Sequence, residues 1–225
     1  MPRFHVIIPA AGSGSRMGAD APKQYLNLHG KTLIQHVIKV FDQATKINTI
    51  HVLLNQEDAH WTYLHLSSKM QVHYCGGDTR ANTVLNGLMV IENQVEAGDW
   101  ILVHDAARPG LSNRLLNQLL NTLENDDVGG LLAMPLADTL KRADSEQRVS
   151  ATIPRNDLWQ AQTPQMFHYA TLKKALIEFD GSPTDEAEAI EALGLKPKLV
   201  IGELQNLKVT YPQDLAVLSA LLSSS

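Results

Sequence analysis

IIPAAGSGSRMG, at residues 7–18, is the stretch that decides the fold of this chain of 225 residues. An apolar run at residues 4–8 leads into it and predicts a buried first strand, which ends in a loop with almost no side-chain bulk. Gly12 and Gly14 permit positive φ, so successive backbone N–H groups of the loop can converge on an anion. The stretch therefore predicts a strand followed by a phosphate-binding loop.

Two cations accompany this loop: Arg16 lies within it and Lys23 in the next segment, PKQY. A glycine loop beside two cations suits a nucleoside triphosphate that reacts with a nucleophile better than a ligand that is only bound. A dinucleotide fingerprint is an alternative, because similar glycine spacing after a strand occurs in nicotinamide- and flavin-binding proteins. That fingerprint expects a helix at the glycines and an acidic residue about 20 residues later. Here the chain has Pro22, and its next predicted strand is followed by Asn55.

Composition and charge exclude several classes of function. The formal net charge is −5, which argues against a general nucleic-acid surface. The single cysteine, Cys75, excludes an internal disulfide framework and fits a reducing compartment. The sequence has no signal-peptide pattern and no run of the roughly 20 apolar residues that a membrane span needs. We expect a cytoplasmic protein that binds neither nucleic acid nor membranes.

Strand-like and helix-like segments alternate along most of the chain, which predicts an α/β fold with a mostly parallel twisted sheet and helices on both faces. Strands are predicted at residues 4–9, 49–54, 71–75, 100–104 and 128–134. Helices are predicted at residues 33–44, 57–67, 80–92, 113–124, 169–179, 185–193 and 213–222. Thr32 is the predicted N-cap of the first helix. Ligands of such sheets bind at the carboxyl ends of the strands, so the residues after each strand are the candidates.

GGDTRANT, at residues 76–83, follows the third predicted strand. Its glycine pair lets the backbone lie against a ligand, and Thr83 places a hydroxyl in the first turn of the next helix. A base or a ribose could be recognised there. A plain strand-to-helix turn, with Asp78 as the cap and Arg80 in solvent, is an equally good interpretation.

HDAARP, at residues 104–109, follows the fourth predicted strand. Asp105 and the two alanines after it leave a bare carboxylate at the edge of the sheet, as a divalent cation would require. Mg²⁺ needs few protein carboxylates, because substrate phosphates and water supply its other ligands. Alternatively, Asp105 caps the following turn and pairs with Arg108. His104 points to the opposite side of the strand, and we interpret it as a packing residue.

A polar β-hairpin is predicted at residues 137–155, where the segments 138–142 and 148–153 flank a polar turn. A two-stranded arm is marginal alone, so we expect it to pack on a partner subunit. The chain is then one domain, residues 1–225, with residues 137–155 as a dimerisation arm. Arg155 lies at the base of the arm, where spacing alone does not separate a function from a surface charge.

Two further segments are predicted near the end of the chain. PTDEA, at residues 183–187, reads as a helix start with Thr184 as its cap. NLKVT, at residues 206–210, reads as a short strand that contains Lys208 and precedes the last helix.

These motifs together resemble the 2-C-methyl-D-erythritol 4-phosphate cytidylyltransferase family of the non-mevalonate isoprenoid pathway. The resemblance runs from residue 6 to about residue 218 and rests on IIPAAGSGSRMG with APKQYL, GGDTRANTV, VHDAARP, DTLKR with Arg155 and QTPQ, PTDEA, and NLKVTYPQDL. It implies a Rossmann-like nucleotidyltransferase that moves CMP from CTP to methylerythritol phosphate and releases pyrophosphate. It also implies Mg²⁺ as cofactor and a homodimer formed through the arm.

The resemblance implies a role for each matched residue. The residues implied to bind CTP are Ala10, Ala11, Gly12, Gly14, Lys23, Gly77, Asp78, Thr83, Asp105 and Ala106. Asp105 is also the implied Mg²⁺ ligand. The residues implied to act in catalysis are Arg16 and Lys23, which stabilise the transition state, and Arg155 and Lys208, which position the acceptor. The acceptor pocket is completed by Arg108, Thr139, Thr163 and Thr184, some of them from the neighbouring subunit.

The chain departs from the family at two positions. Thr83 stands where serine is commoner, and this keeps the hydroxyl. Gln205 stands where an acidic residue is frequent, so the second metal contact is left open, with Glu203 as a weak substitute.

Other functions remain open at this point. The nearest is a cytidylyltransferase for another polyol phosphate, such as ribitol 5-phosphate. A nicotinamide-binding oxidoreductase and a non-catalytic dimeric nucleotide binder are the alternatives from other classes.

Overall fold

A computed structural model describes residues 2–12, 21–61 and 67–223. Strands β1–β11 occupy, in chain order, Phe4–Pro9, Asn27–Leu28, Lys31–Thr32, Ile47–Leu54, Met70–Tyr74, Trp100–Val103, Gly129–Pro135, Leu140–Ala143, Val149–Ile153, Trp159–His168 and Lys198–Ile201. Helices α1–α6 occupy Leu33–Gln43, Arg80–Val90, Asn113–Leu123, Tyr169–Glu178, Glu186–Ala192 and Pro212–Ser223. Short 3₁₀ helices occupy Lys23–Tyr25, Glu92–Gln94 and Leu204–Asn206.

The central sheet has seven strands in the order β11-β7-β10-β6-β1-β4-β5. The four strands from β6 to β5 are parallel to one another, and β11 is parallel to β7. Strand β10 runs antiparallel to both of its neighbours, β6 and β7. The predicted mostly parallel sheet is therefore confirmed, with one antiparallel strand inserted near its middle.

The core covers both faces of this sheet, because alternate residues of each strand point to opposite sides. In β1, Val6 and Ile8 pack in the cluster that contains most of the buried residues of α1 and all of those of α3. Ile7, between them, packs in the cluster that contains buried residues of α2, α4 and α5. The predicted helices on both faces are confirmed. Thr32 caps α1, as predicted, in a reciprocal pair with Gln35.

Strands β10 and β11 are absent from the predictions. Residues 162–167 of β10 are all buried, although the strand contains glutamines, a threonine and a proline. β11 is a four-residue edge strand in which only Val200 is buried. Neither segment carries the continuous apolar run that a sequence pattern detects.

One predicted strand, the start of one predicted helix and two candidate caps were wrong. Residues 57–60, at the start of the helix predicted at 57–67, are not helical; Asn55 and Asp58 accept hydrogen bonds there from the N–H groups of Glu57 and His60. Residues 62–66 of this predicted helix lie outside the described residues. The predicted strand at 206–210 begins in a 3₁₀ turn and then runs without a strand partner among the described residues. Helix α2 is capped by Thr79 rather than Asp78, and α5 is capped by Asp185 rather than Thr184.

The predicted hairpin is present as β8 and β9, which form their own antiparallel sheet. Its apolar side chains Leu140 and Val149 are exposed, Val149 to 64%. Within the described ranges, no helix combines the length and the apolar character needed to cross a membrane.

Candidate active site

A cavity of about 600 Å³ opens at the carboxyl ends of β1, β4, β5 and β6. Each of these strands supplies residues from the loop that follows it, which is where a parallel sheet presents ligand-binding groups. The described residues that line the cavity are Pro9, Ala10, Ala11, Gly12, Lys23, Gln24, Asn55, Gly77, Asp78, Thr79, Arg80, Thr83, Asp105, Ala106, Ala107, Lys208 and Thr210.

The loop after β1 forms one wall of the cavity. The buried side chain of Gln24 donates to the Ala10 carbonyl at 2.7 Å, and the Ala10 N–H donates to the Leu53 carbonyl at 2.8 Å. A Cβ added to Gly12 would meet no described atom within 4 Å, so no described side chain covers the backbone there. Lys23 lines the same wall and donates to the Val209 carbonyl at 3.3 Å. Gly14 and Arg16, both predicted here, lie outside the described residues.

The loop after β5 also lines the cavity and lies next to the loop after β1. The Thr83 hydroxyl is buried, accepts from the Gly77 N–H at 3.0 Å and donates to the Thr79 carbonyl at 3.0 Å. Thr83 therefore fixes the shape of the turn that presents Gly77 and Asp78, whether or not it also contacts a ligand. The segment is thus a strand-to-helix turn that also lines the cavity, with Thr79 rather than Asp78 as the helix cap. Recognition of a base or a ribose by this turn stays a prediction.

Asp105 lies at the floor of the cavity and is buried among cations. Its Oδ1 accepts from Arg80 Nε at 2.8 Å, and its Oδ2 lies 2.9 Å from Lys208 Nζ and 3.5 Å from Arg108 Nε. Burial alone would raise the pKa of this carboxyl, but the three neighbouring cations outweigh it and hold the pKa well below its usual range. Asp105 is therefore ionised at neutral pH. The pairing with Arg108 exists, as the alternative interpretation had it, but Arg80 is bound here rather than solvated.

Arg80 also forms a two-pronged pair with Glu186, at the start of α5. Nη1 donates to Oε1 at 2.7 Å and Nη2 to Oε2 at 3.1 Å, and Glu186 is 1% exposed. Burial raises the pKa of Glu186, while its pairing with Arg80 opposes that rise. Sequence reasoning missed both residues: Glu186 reads as an ordinary acid of a first helical turn, and Arg80 as a surface charge.

Two of the predicted acceptor residues, Thr163 and Arg108, contact Asp105 directly. Thr163 Oγ1 accepts from the Asp105 N–H at 3.1 Å and lies 2.9 Å from Nδ1 of His104. Arg108 donates to the Asn206 carbonyl at 2.8 Å. Burial lowers the pKa of His104 to about 4, so this histidine is neutral and packs in the core, as expected. Thr163 and Arg108 do not belong to the described lining of the cavity.

Three other predicted acceptor residues are not brought to the cavity within one chain. Thr139 and Arg155 are exposed and both lie at the base of the hairpin arm, just before β8 and just after β9. Thr184 is also exposed, and its N–H and hydroxyl both donate to Glu188, at 2.6 and 2.8 Å. None of the three is among the described residues that line the cavity.

The donor set at Asp105 suits a magnesium ion that is held mainly by a substrate. A carboxylate offers about four acceptor positions, so Asp105 retains capacity beside its cations, and Mg²⁺ takes few protein ligands when phosphates are present. Among the described residues, no group of three or more His, Cys, Asp or Glu side chains could hold a metal by itself. Glu203 is taken by Arg114 and by Gln205, whose Nε2 donates to it at 2.9 Å. Glu203 and Gln205 both lie outside the described lining, so neither supplies a second ligand in this arrangement.

Comparison with known proteins identifies the family. Residues 4–224 match the family model described as IspD: 2-C-methyl-D-erythritol 4-phosphate cytidylyltransferase. The chain belongs to this family. The cytidylyltransferase of this name from Dechloromonas aromatica is 54% identical over 225 residues, which are 99% of this chain and 98% of the relative. The one from Nitrosospira multiformis is 52% identical over 230 residues, 100% of this chain and 99% of the relative.

Solved structures of the cytidylyltransferase family share the fold. A crystal structure of 4-diphosphocytidyl-2C-methyl-D-erythritol synthase superposes with a TM-score of 0.87 at 38% identity, covering 99% of both chains. The Francisella tularensis 2-C-methyl-D-erythritol 4-phosphate cytidylyltransferase superposes with a TM-score of 0.80 at 32% identity, covering 96% of this chain and 97% of its own. The resemblance that the motifs indicated is thus confirmed over the whole sheet.

Proposed function

We propose that the protein transfers CMP from CTP to 2-C-methyl-D-erythritol 4-phosphate and releases pyrophosphate. The observation that carries this proposal is the cation-rich floor of the cavity, where Lys208 and Arg80 flank Asp105, together with residues 10–12, which line the same cavity. Family membership supplies the substrates. The charge arrangement explains why such a reaction would proceed here.

The chemistry needs cations more than it needs a base. A phosphate monoester has a second pKa near 6, so the attacking oxygen of the acceptor is already ionised at neutral pH. The obstacle is repulsion between this dianion and the triphosphate. Preorganised cations that meet the developing charge are the strongest means to lower such a barrier.

In the proposed reaction, the acceptor phosphate oxygen attacks the α-phosphorus of CTP in line with the bond that breaks. A new P–O bond forms as the bond to pyrophosphate opens, and the leaving group carries away its electron pair. N–H groups of residues 11 and 12 bind the triphosphate, because the N–H of Ala10 already donates to the Leu53 carbonyl, and the turn at Gly77 holds the base. Lys23 and Arg16 meet the charge on the α-phosphoryl oxygens, while Lys208 orients the acceptor.

Asp105 is the residue proposed to hold Mg²⁺. When bound, this ion neutralises triphosphate charge and makes the α-phosphorus more electrophilic. The low pKa of Asp105 ensures that the carboxylate stays ionised and available at neutral pH.

We further propose a homodimer whose arm carries acceptor-binding residues to the neighbouring cavity. Thr139 and Arg155 lie on the exposed arm rather than at the cavity of their own chain, and the exposed Leu140 and Val149 give the arm an apolar surface to bury. Arg108, Thr163 and Thr184 would complete the pocket. We also propose a cytoplasmic enzyme that binds neither nucleic acid nor membranes. The net charge of −5 supports the absence of binding to polyanions, and the single cysteine fits a reducing compartment.

The test is pyrophosphate release from CTP and Mg²⁺ with each acceptor in turn. We expect release with methylerythritol phosphate and none with ribitol 5-phosphate or without an acceptor. Lys23→Ala should lower kcat by about 10²- to 10³-fold, because it removes a donor to the transition state. The matched control is Lys46→Ala, since Lys46 is a lysine paired with Glu124 at 2.7 Å and is not part of the described cavity lining. It should keep full activity.

Other outcomes would identify the alternatives. Turnover of ribitol 5-phosphate alone would assign the other polyol phosphate. Binding of CTP without pyrophosphate release from any acceptor would leave a nucleotide binder, and a saturable NADH fluorescence titration would indicate a nicotinamide site.

A further inference from the structure

A second buried carboxylate lies behind the cavity and is not part of its described lining. Glu186 uses both of its oxygens to accept from Nη1 and Nη2 of Arg80, at 2.7 and 3.1 Å. The remaining guanidinium nitrogen of Arg80, Nε, donates to Asp105 Oδ1 at 2.8 Å. One planar cation therefore connects a carboxylate outside the cavity with the carboxylate at its floor.

This arrangement requires arginine at position 80. A guanidinium presents its N–H groups in a rigid fork and can serve two carboxylates in fixed directions, whereas a lysine ammonium is a point charge on a flexible stem. Burying two carboxylates and a cation is costly, and such groups are weak evidence of a gain in stability. The geometry is better explained by a need to orient Asp105.

Both ends of the connection are themselves fixed. Arg80 is the first residue of α2, directly after the cap Thr79. At the other end, the buried Gln165 of β10 donates to Asp185 Oδ2 at 2.8 Å and accepts from the Ala187 N–H at 2.8 Å. Gln165 thus clamps the residues on both sides of Glu186, so the carboxylate has a defined position.

We propose that Glu186 and Arg80 are positioning residues for Asp105. Glu186 fixes the plane of the Arg80 guanidinium, and Arg80 fixes Oδ1 of Asp105, which leaves Oδ2 directed toward Lys208 and the cavity. Glu186 also offsets one of the cations around Asp105, so that a divalent cation meets less repulsion there. The inference rests on the proposed function, because it assigns a purpose to the orientation of the proposed metal ligand.

The decisive measurement is Mn²⁺ binding by electron paramagnetic resonance, in the presence of a non-cleavable CTP analogue and without an acceptor. Glu186→Gln keeps the shape of the side chain but loses its charge and one acceptor. We expect its Mn²⁺ affinity to fall by about 10- to 100-fold, the range typical for residues that orient a metal ligand. With saturating metal, kcat should fall while KM for the acceptor stays unchanged.

The matched control is Asp99→Asn. Asp99 is also a buried carboxylate paired with an arginine, Arg3, at 2.8 and 3.1 Å, but it precedes β6 and so lies at the opposite end of that strand from the cavity. Asp99→Asn should lose stability and keep the wild-type Mn²⁺ affinity. If Glu186→Gln does not fold, Arg80→Lys replaces it, because lysine keeps the charge and loses the fork.

Wild-type Mn²⁺ affinity in folded Glu186→Gln or Arg80→Lys would overturn the positioning role, and so would an equal loss in Asp99→Asn. Failure of the proposed function is a separate outcome. It appears as absent pyrophosphate release by the unaltered protein, whereas the Mn²⁺ titration needs no acceptor and no turnover.

Discussion

Three histidines on neighbouring strands form a row inside the sheet region: His5 on β1, His51 on β4 and His73 on β5. Nδ1 of His51 lies 3.1 Å from Nε2 of His73, and the rings of His5 and His51 stack 5.9 Å apart. Burial, followed by the neighbouring histidine charges, lowers the pKa of His51 to about 3. Burial also lowers the pKa of His5 and of His73, although Asp99 opposes the effect at His5. This row is neutral in the folded protein.

The row makes stability depend on pH. Because the folded pKa of His51 lies below the unfolded value of 6.5, the unfolded chain binds more protons between pH 6.5 and about 3. Stability is therefore complete above pH 6.5 and is lost as the pH falls through this window. The free energy of unfolding should decrease by up to about 1.4 kcal/mol per pH unit for each fully shifted group. Urea unfolding at pH 7.5, 6 and 5 measures this slope.

The variant His51→Gln removes one titrating group and should reduce the slope between pH 6.5 and 5. The exposed His60 provides a matched control, and His60→Gln should keep the wild-type slope. Equal slopes for His51→Gln and the unaltered protein would contradict the assignment to this row.

At the scale of elements, two loops from different strands meet at Gly76. A Cβ at this position would lie 2.6 Å from the Cβ of Ala11 and 3.1 Å from the Leu54 carbonyl oxygen. Ala11 belongs to the loop after β1, and Gly76 lies in the loop after β5. The spacing between these two loops of the cavity therefore requires glycine at position 76. This close approach explains the glycine without a ligand contact.

Gly76→Ala should push these loops apart. We expect a loss of roughly 1–3 kcal/mol in the free energy of unfolding, as is usual for overpacking, together with weaker CTP binding by calorimetry. Gly98→Ala is the matched control, since a Cβ there would meet no atom of the described chain within 4 Å. If Gly76→Ala has the same CTP affinity and the same free energy of unfolding as Gly98→Ala, then Gly76 does not set the spacing between the two loops.

The elements also show where a sequence pattern stops being informative. Strand β10 is buried in the centre of the sheet, yet its glutamines are satisfied by partners that are distant in the chain: Gln165 by Asp185 and Ala187, and Gln162 by the Glu203 carbonyl. A polar residue is tolerated in a core when tertiary contacts supply its hydrogen bonds. Those contacts are not visible in the local pattern, so the sequence predicts no strand here.

At the scale of the whole molecule, a homodimer would account both for the exposed arm and for the acceptor residues that are missing from the cavity of their own chain. If the arm of one subunit supplies Arg155 to the cavity of its neighbour, then each cavity combines Lys23 and Lys208 of one chain with Arg155 of the other. Arg155→Ala should weaken acceptor binding and turnover, because bidentate cations hold a phosphate in place for reaction.

Mixing subunits tests this arrangement. Lys23→Ala and Arg155→Ala proteins, each with strongly reduced activity alone, should recover about a quarter of wild-type activity after random exchange, since half of the dimers then hold one complete cavity out of two. Lys23→Ala mixed with Lys208→Ala is the control, because both residues line the cavity of the same chain, and it should recover nothing. No recovery in the first mixture, or a monomer by light scattering, would contradict a shared site.

The sequence by itself determined the α/β class, the strand that ends in a glycine loop, and the position of Asp105 at the end of β6. These follow from short-range patterns, in which burial and backbone freedom leave a mark on neighbouring residues. Only the tertiary structure decided that Arg80 and Glu186, 106 residues apart, meet behind Asp105, and that Thr83 is bonded within its own turn. The strength of a charge interaction depends on the distance and the burial of its partners in space, and spacing along the chain specifies neither.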